Sequence, residues 1–226
     1  MNAAAQAGVE DADLADEIAA GAAILDVPLT SAQVDRFVAY LRLIERWNAT
    51  YNLTAIRNPR DMVAHHLLDC LAAAAALARE RGTGVGKRLL DVGTGAGLPG
   101  LVIAVVSPAR EVVCIDSVGK KTAFVTQAAT VLGLRNVTAM HARVESVQGR
   151  VFDEIVSRAF SSLADLLSAT RHLLDEAGIW MAMKAKVSEI ELSNLRGVTH
   201  RVEPLRVPQL TAVRCLVWLT PEASTH

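Results

Sequence analysis

The twelve residues Leu89–Gly100, LLDVGTGAGLPG, set four glycines directly behind a short apolar run. Glycines there let a backbone close on a ligand at the end of a strand. The spacing Gly95-x-Gly97-x-x-Gly100 fits the dinucleotide fingerprint, in which a helix N-terminus faces a pyrophosphate. Asp91, two residues ahead of Gly93, is the discordant feature. An acid at that point repels a pyrophosphate and favours a cationic ligand, directly or through water. S-adenosylmethionine is such a ligand, with a sulfonium and an ammonium group and no phosphate. Asp116 ends the next apolar run, EVVCID, and offers two oxygens to the ribose hydroxyls of either cofactor class. Each acid also has a plainer reading: Asp91 capping the loop, and Asp116 capping the helix that opens at Ser117–Val118.

The remaining reactive residues form weaker patterns. His65, His66 and Asp69 share one expected helix, but adjacent histidines point about 100° apart, so no metal site is expected. Cys70, Cys114 and Cys215 are widely spaced, contain no C-x-x-C pair and do not follow a proline. They imply neither a disulfide framework nor a thiolate nucleophile, and they suit a reducing compartment. Lys184 and Lys186 in MAMKAK close a strand beside the cleft, where phosphate contact is plausible chemistry, as is simple solvation. Arg158 ends another strand at the same cleft, within reach of Asp91, a donor carboxylate or RNA. Trp47 and Tyr51 could stack on bases, although the helical spacing of Trp47 favours core packing.

These residues need a scaffold, and the hydrophobic periodicity supplies one. A tail to about residue 12 precedes a short helix around Leu14–Leu25. TSAQVDRFVAYLRLIERWNATYNL opens on a Thr/Ser cap and repeats apolar residues at three and four, an amphipathic helix. A further helix runs from about Arg60 to Arg79, and RGTGVG (81–86) reads as a flexible hinge. Strands are expected at 88–92, 111–116, 136–141, 153–157, 178–184, 198–207 and 214–220. Helices fill the gaps at 98–107, 118–133, 161–174 and 187–196. The expectation is an α/β fold: an open, mostly parallel seven-stranded Rossmann-like sheet, residues 83–226, behind an N-terminal helical extension, residues 13–82.

Composition bounds the partners. The 226 residues are 51% hydrophobic with a formal net charge of −1, so any polyanion must meet a local basic patch. The alanine-rich N-terminus has acids and no early Lys or Arg, unlike a signal peptide, and no apolar run approaches a membrane span. A cytoplasmic protein without membrane or metal partners is expected.

Six blocks occur in an order that resembles the RsmG family, also called GidB: NLTAIRNPRDMVAHHLLD, DVGTGAGLPG, DSVGKKTAFV, ARVE, FDEIVSRAF and MKAK. The likeness spans roughly residues 30–220. It implies a class I S-adenosylmethionine-dependent methyltransferase acting on guanine N7 of 16S ribosomal RNA, alone or in the small subunit, and releasing S-adenosylhomocysteine. It also implies that Gly93, Gly95 and Leu98 touch the donor, that Asp116 takes the ribose, that Val144 and Glu145 face the adenine, and that Arg158 is a further donor-site residue. His66 matches the family histidine and, with Lys184 and Lys186, is an RNA-contact candidate. The sequence differs from the family pattern at His65, Cys70, Cys215 and Thr220, all near the expected RNA side.

Guanine N7 carries an unprotonated in-plane lone pair, so its methylation needs alignment and no general base; no catalytic acid or base is expected. Exocyclic amine methylation often uses an N-P-P-Y-like tetrad, which is absent. Rival readings are an NAD-dependent oxidoreductase sharing the glycine loop, opposed by Asp91, a small-molecule methyltransferase, and an RNA-binding module without turnover. A monomer is expected.

Overall fold

The computed structural model describes residues 3–158, 160 and 162–222, with side chains described from residue 10 onward. Seven strands form one sheet: β1 (Arg88–Val92), β2 (Glu111–Asp116), β3 (Val137–His141), β4 (Phe152–Ser157), β5 (Leu174–Lys184), β6 (Val198–Leu205) and β7 (Arg214–Pro221). Their order is β3-β2-β1-β4-β5-β7-β6. The first five run parallel, and β7 lies antiparallel between β5 and β6. The order reverses direction at β1 and β4, so the crevice for a ligand lies beyond the carboxyl ends of those strands.

The helices are α1 (Ala3–Ile24), α2 (Ser31–Tyr51), α3 (Pro59–Arg81), α4 (Gly100–Val106), α5 (Gly119–Val131), α6 (Leu163–Thr170) and α7 (Glu189–Ser193). Thr30 caps α2 in a reciprocal capping box with Gln33. The apolar stripe of α2 packs Phe37, Leu41 and Ile44 into the same core cluster as α1, α3, α4 and one face of the sheet. Tyr40 lies in that stripe, and its buried hydroxyl donates to the Ala96 carbonyl in the glycine loop at 2.5 Å. Trp47 sits edge-on to Phe124, its ring centroid 5.4 Å away, and donates to Gln127; it is a packing residue.

Three local readings change. Helix α1 starts at Ala3, inside the stretch expected to be a tail: alanine has the highest helix propensity, and Arg42 on α2 pairs with Glu10 and Asp11. Helix α3 takes a π-helical course over Val63–Leu68, the stretch that carries His65 and His66. It is long and apolar enough to cross a membrane, yet most of its apolar stretch is buried within the protein. The expected hinge at 81–86 is an exposed turn pinned at one point, where Gly84 lies against the buried guanidinium of Arg110, which is paired with Glu154 at 2.6 Å.

Candidate active site

At the carboxyl ends of β1 and β2, a cavity of about 150 Å³ opens between the glycine loop and the turn after β3. The loop hangs on β2: the Gly93 and Thr94 amides both donate to the Ile115 carbonyl, at 2.9 and 3.1 Å. Gly93, Gly95 and Gly97 all have positive φ, which a glycine adopts without strain. Gly100 does not; it is required by close approach, since a Cβ there would stand 2.7 Å from both Asp91 Oδ2 and Cys114 Sγ.

Asp91 is fully buried and turned into the loop. Its Oδ2 accepts from the Thr94 hydroxyl at 2.5 Å and the Gly100 amide at 2.9 Å, while Oδ1 has no hydrogen-bond partner. Burial lifts its carboxyl to about 6, against the pull of those two donors and of Arg158. Asp91 thus caps the loop and does not line the cavity. The capping still opposes a dinucleotide: the Gly100 amide goes to Asp91 and the Leu101 amide to the Gly97 carbonyl, so neither is left for a pyrophosphate.

Asp116 does line the cavity. Its Oδ2 accepts from the Gly95 amide at 3.0 Å and lies 3.5 Å from Lys121 Nζ; Oδ1 accepts from the Val118 amide at 2.9 Å. The helix-capping reading therefore holds together with the cavity position. Each carboxylate oxygen has further lone pairs, so a carboxylate fixed by two amides remains able to take ribose hydroxyls. Gly93, Val144 and Glu145 line the same cavity, as do Arg143 and Phe160, which the sequence patterns did not single out. Gly95 reaches it only through Asp116, and Leu98 is a core residue at 2% exposure, packed away from it.

A second cavity, about 330 Å³, lies between the ends of β4 and β5, the start of β7 and helix α3. Arg158, His66 and Lys184 line it; Lys186 is exposed and outside it. Arg158 donates to the His65 carbonyl at 3.2 Å and lies 3.7 Å from Asp69, which Arg214 approaches from the other side at 3.3 Å. Asp69 as the shared anchor of two arginines was missed in sequence; the available signal was its position three residues after His66, on one helix face. Burial raises the Asp69 carboxyl, and both arginines pull it back. His66 Nε2 lies 2.8 Å from the Thr54 hydroxyl, and its Nδ1 is buried without a partner. Burial, then Arg158, push its imidazole down to about 4, so it is neutral at physiological pH. Lys184 is bound at 2.5 Å to Glu191 on α7.

All three cysteines are buried free thiols, and burial raises each above its ordinary value. Among the described residues no group of three or more His, Cys, Asp or Glu is placed to hold a metal ion.

Solved structures share this fold at low identity. TrmN from Thermus thermophilus matches with a TM-score of 0.54 and 18% identity, covering 71% of this chain and 53% of that one. A SAM-dependent methyltransferase from Aquifex aeolicus matches with a TM-score of 0.51 and 17% identity, covering 65% and 88%. In sequence, a ribosomal RNA small subunit methyltransferase G from Methylibium petroleiphilum is 49% identical over 210 residues, 91% of this chain and 94% of the relative. The family model GidB, rRNA small subunit methyltransferase G, matches residues 33–217. Fold and family together define a class I S-adenosylmethionine-dependent methyltransferase. The chain belongs to the GidB family of rRNA small subunit methyltransferases.

Proposed function

We propose that the protein methylates N7 of a guanine in 16S ribosomal RNA, with S-adenosylmethionine bound in the first cavity. The carrying observation is that Asp116, fixed by the Gly95 and Val118 amides, presents a carboxylate to a cavity whose loop spends the Gly100 amide on Asp91 and the Leu101 amide on the Gly97 carbonyl. That set suits an adenosine with a cationic tail. The bound donor supplies an electrophilic methyl group. Asp116 holds the ribose, Val144 and Glu145 border the adenine, and Gly93 lets the backbone close on the donor. The second cavity takes the target base, with Arg158 on the strand end between the two cavities and His66 on its α3 wall.

The acceptor reading rests on what the site lacks need of. N7 gives up no proton, so alignment of the lone pair with the methyl group is the chain's main task. The reading is supported by the thiols, which are buried with their pKa values raised, and by Asp91 and Asp69, which are held by donors or arginines. The enzyme acts as a cytoplasmic monomer; its exposed large apolar residues, such as Ile24, Val85, Ile190 and Val213, lie on separate elements and do not suggest an interface.

The test is transfer of tritiated methyl from S-adenosylmethionine to small subunits lacking the modification, followed by nucleoside analysis. One labelled 7-methylguanosine, lost with Asp116→Ala, is expected. Donor binding by calorimetry with no label in subunits or RNA would leave the donor site and overturn the acceptor.

A further inference from the structure

The amino ends of the strands lie at the other end of the sheet from both cavities, and they carry a feature that methyl transfer does not use. A groove of about 380 Å³ runs there over β2 and β3, floored by Val113 and Thr138. Arg88 at the start of β1, Arg135 in the turn before β3 and Arg150 in the loop before β4 line it. Its lining acid is Glu111, cross-strand from Arg88 in register. The neighbouring Asp153 is taken by Lys87 Nζ and the Arg88 amide, each at 2.9 Å.

Among the described residues none of these three arginines forms an ion pair. Elsewhere Arg42, Arg60, Arg79, Arg110 and Arg201 all do. Three cations against one acid leave the groove two charges positive on a chain whose net charge is −1. Such convergence of uncompensated guanidinium groups suits phosphate, to which each planar fork can donate twice. The groove offers no stacking platform, since Phe152 is 2% exposed. It therefore suits a nucleic-acid backbone rather than bases.

We propose that this groove binds the phosphodiester backbone of the ribosomal RNA substrate as a docking contact remote from the reacting base. The inference rests on the ribosomal RNA reading above. A strand of six residues spans about 20 Å, so a phosphate in the groove cannot touch the reacting atoms. Its contribution belongs in substrate affinity and not in the chemical step.

The experiment compares the full-length enzyme with Arg88→Gln/Arg135→Gln/Arg150→Gln on unmethylated small subunits over a range of KCl concentrations. A control, Arg79→Gln/Arg171→Gln/Arg201→Gln, removes the same charge from other surfaces. The groove variant is expected to raise KM for subunits about tenfold, and to lower the salt slope of log affinity by roughly 0.7 to 0.9 per lost phosphate contact. Its kcat and calorimetric donor affinity should stay within about twofold of the unchanged enzyme, because the groove touches neither cavity. The lysine triple variant, which keeps the charge but not the fork, should restore the salt slope and part of the affinity, separating charge from misfolding. Equal KM and salt slope in the groove and control variants, or a lysine variant as weak as the glutamine one, would overturn the groove while methylation by the unchanged enzyme stands. Failure of the unchanged enzyme to methylate any subunit would overturn the ribosomal reading and the groove with it.

Discussion

Gly100→Ala should be more damaging than Gly95→Ala, although each adds a single methyl group to the glycine loop. The helix begins at Gly100 with ordinary backbone angles, so no conformational strain accompanies an alanine there. Space is the obstacle. The new Cβ would stand 2.7 Å from Asp91 Oδ2, 2.7 Å from Cys114 Sγ and 3.0 Å from Asp91 Cβ, all in fully buried side chains on adjacent strands. Asp91 is held against the new methyl group: Oδ2 is fixed by Thr94 and by the Gly100 amide itself. Overpacking of this kind costs about 1–3 kcal/mol. Moving Asp91 also weakens charge-assisted hydrogen bonds worth about 1.5–3 kcal/mol each. A total of about 3 kcal/mol corresponds to roughly 6–12 °C in Tm for a chain of this size. Gly95→Ala is the control: its Cβ would meet nothing nearer than the Gly93 carbonyl at 4.0 Å, leaving only the positive φ, about 1–2 kcal/mol. Thermal unfolding followed by circular dichroism, with donor calorimetry beside it, measures both. A Gly100→Ala variant as stable as Gly95→Ala would refute the packing argument.

Three further outcomes follow from the same geometry. Asp116→Ala should weaken S-adenosylmethionine binding at least tenfold, while Glu145→Ala, at an exposed position, should change it only a few-fold; calorimetry ranks them, and the reverse order would refute the ribose assignment. Glu154→Gln should cost about 3–5 kcal/mol in urea unfolding, because it leaves the fully buried Arg110 guanidinium without its counter-charge, and a loss below 1 kcal/mol would show that the pair is dispensable. His66 has its pKa lowered from 6.5 to about 4, so the unfolded chain binds the extra proton in that window and stability is lost as pH falls through it; His66→Gln should remove this loss, and a Tm difference from the unchanged enzyme that is the same at pH 7 and pH 4.5 would contradict it.

The strands were legible because each is a short apolar run bounded by turn residues, and β1, β2 and β4 begin or end within one residue of expectation. The glycine loop was legible as a loop, and the position of Asp116 followed from its place at the end of β2. What Asp91 does was not legible. An acid before a glycine loop can face the ligand or fold back, and the choice depends on the Thr94 hydroxyl and the Gly100 amide, which meet only in three dimensions. The π-helical course of α3 left no periodic signature, since a six-residue departure does not disturb the apolar pattern around it. The Arg110–Glu154 pair joins residues 44 apart, one before β2 and one within β4, and no local rule links them. Leu98 shows the limit of motif-based assignment: its place in the glycine block suggests ligand contact, while its side chain serves the core.

The turn from one cavity to the other happens within two residues at the end of β4. The Ser157 hydroxyl donates to the Val92 carbonyl at 2.9 Å, tying this strand end to the strand that carries the donor loop. Successive side chains on a strand face opposite ways, so the residue after Ser157 leaves toward the other cavity. There Arg158 meets the His65 carbonyl and the Asp69 carboxylate. Burial dominates both neighbouring groups, raising the Asp91 carboxyl and lowering the His66 imidazole; the Arg158 charge opposes the first shift and adds to the second. One guanidinium thus stands between the aspartate beneath the glycine loop and the second cavity, and lines only the second. Arginine suits that position better than lysine: it stays protonated when half-buried and can hold a carbonyl and a carboxylate at once.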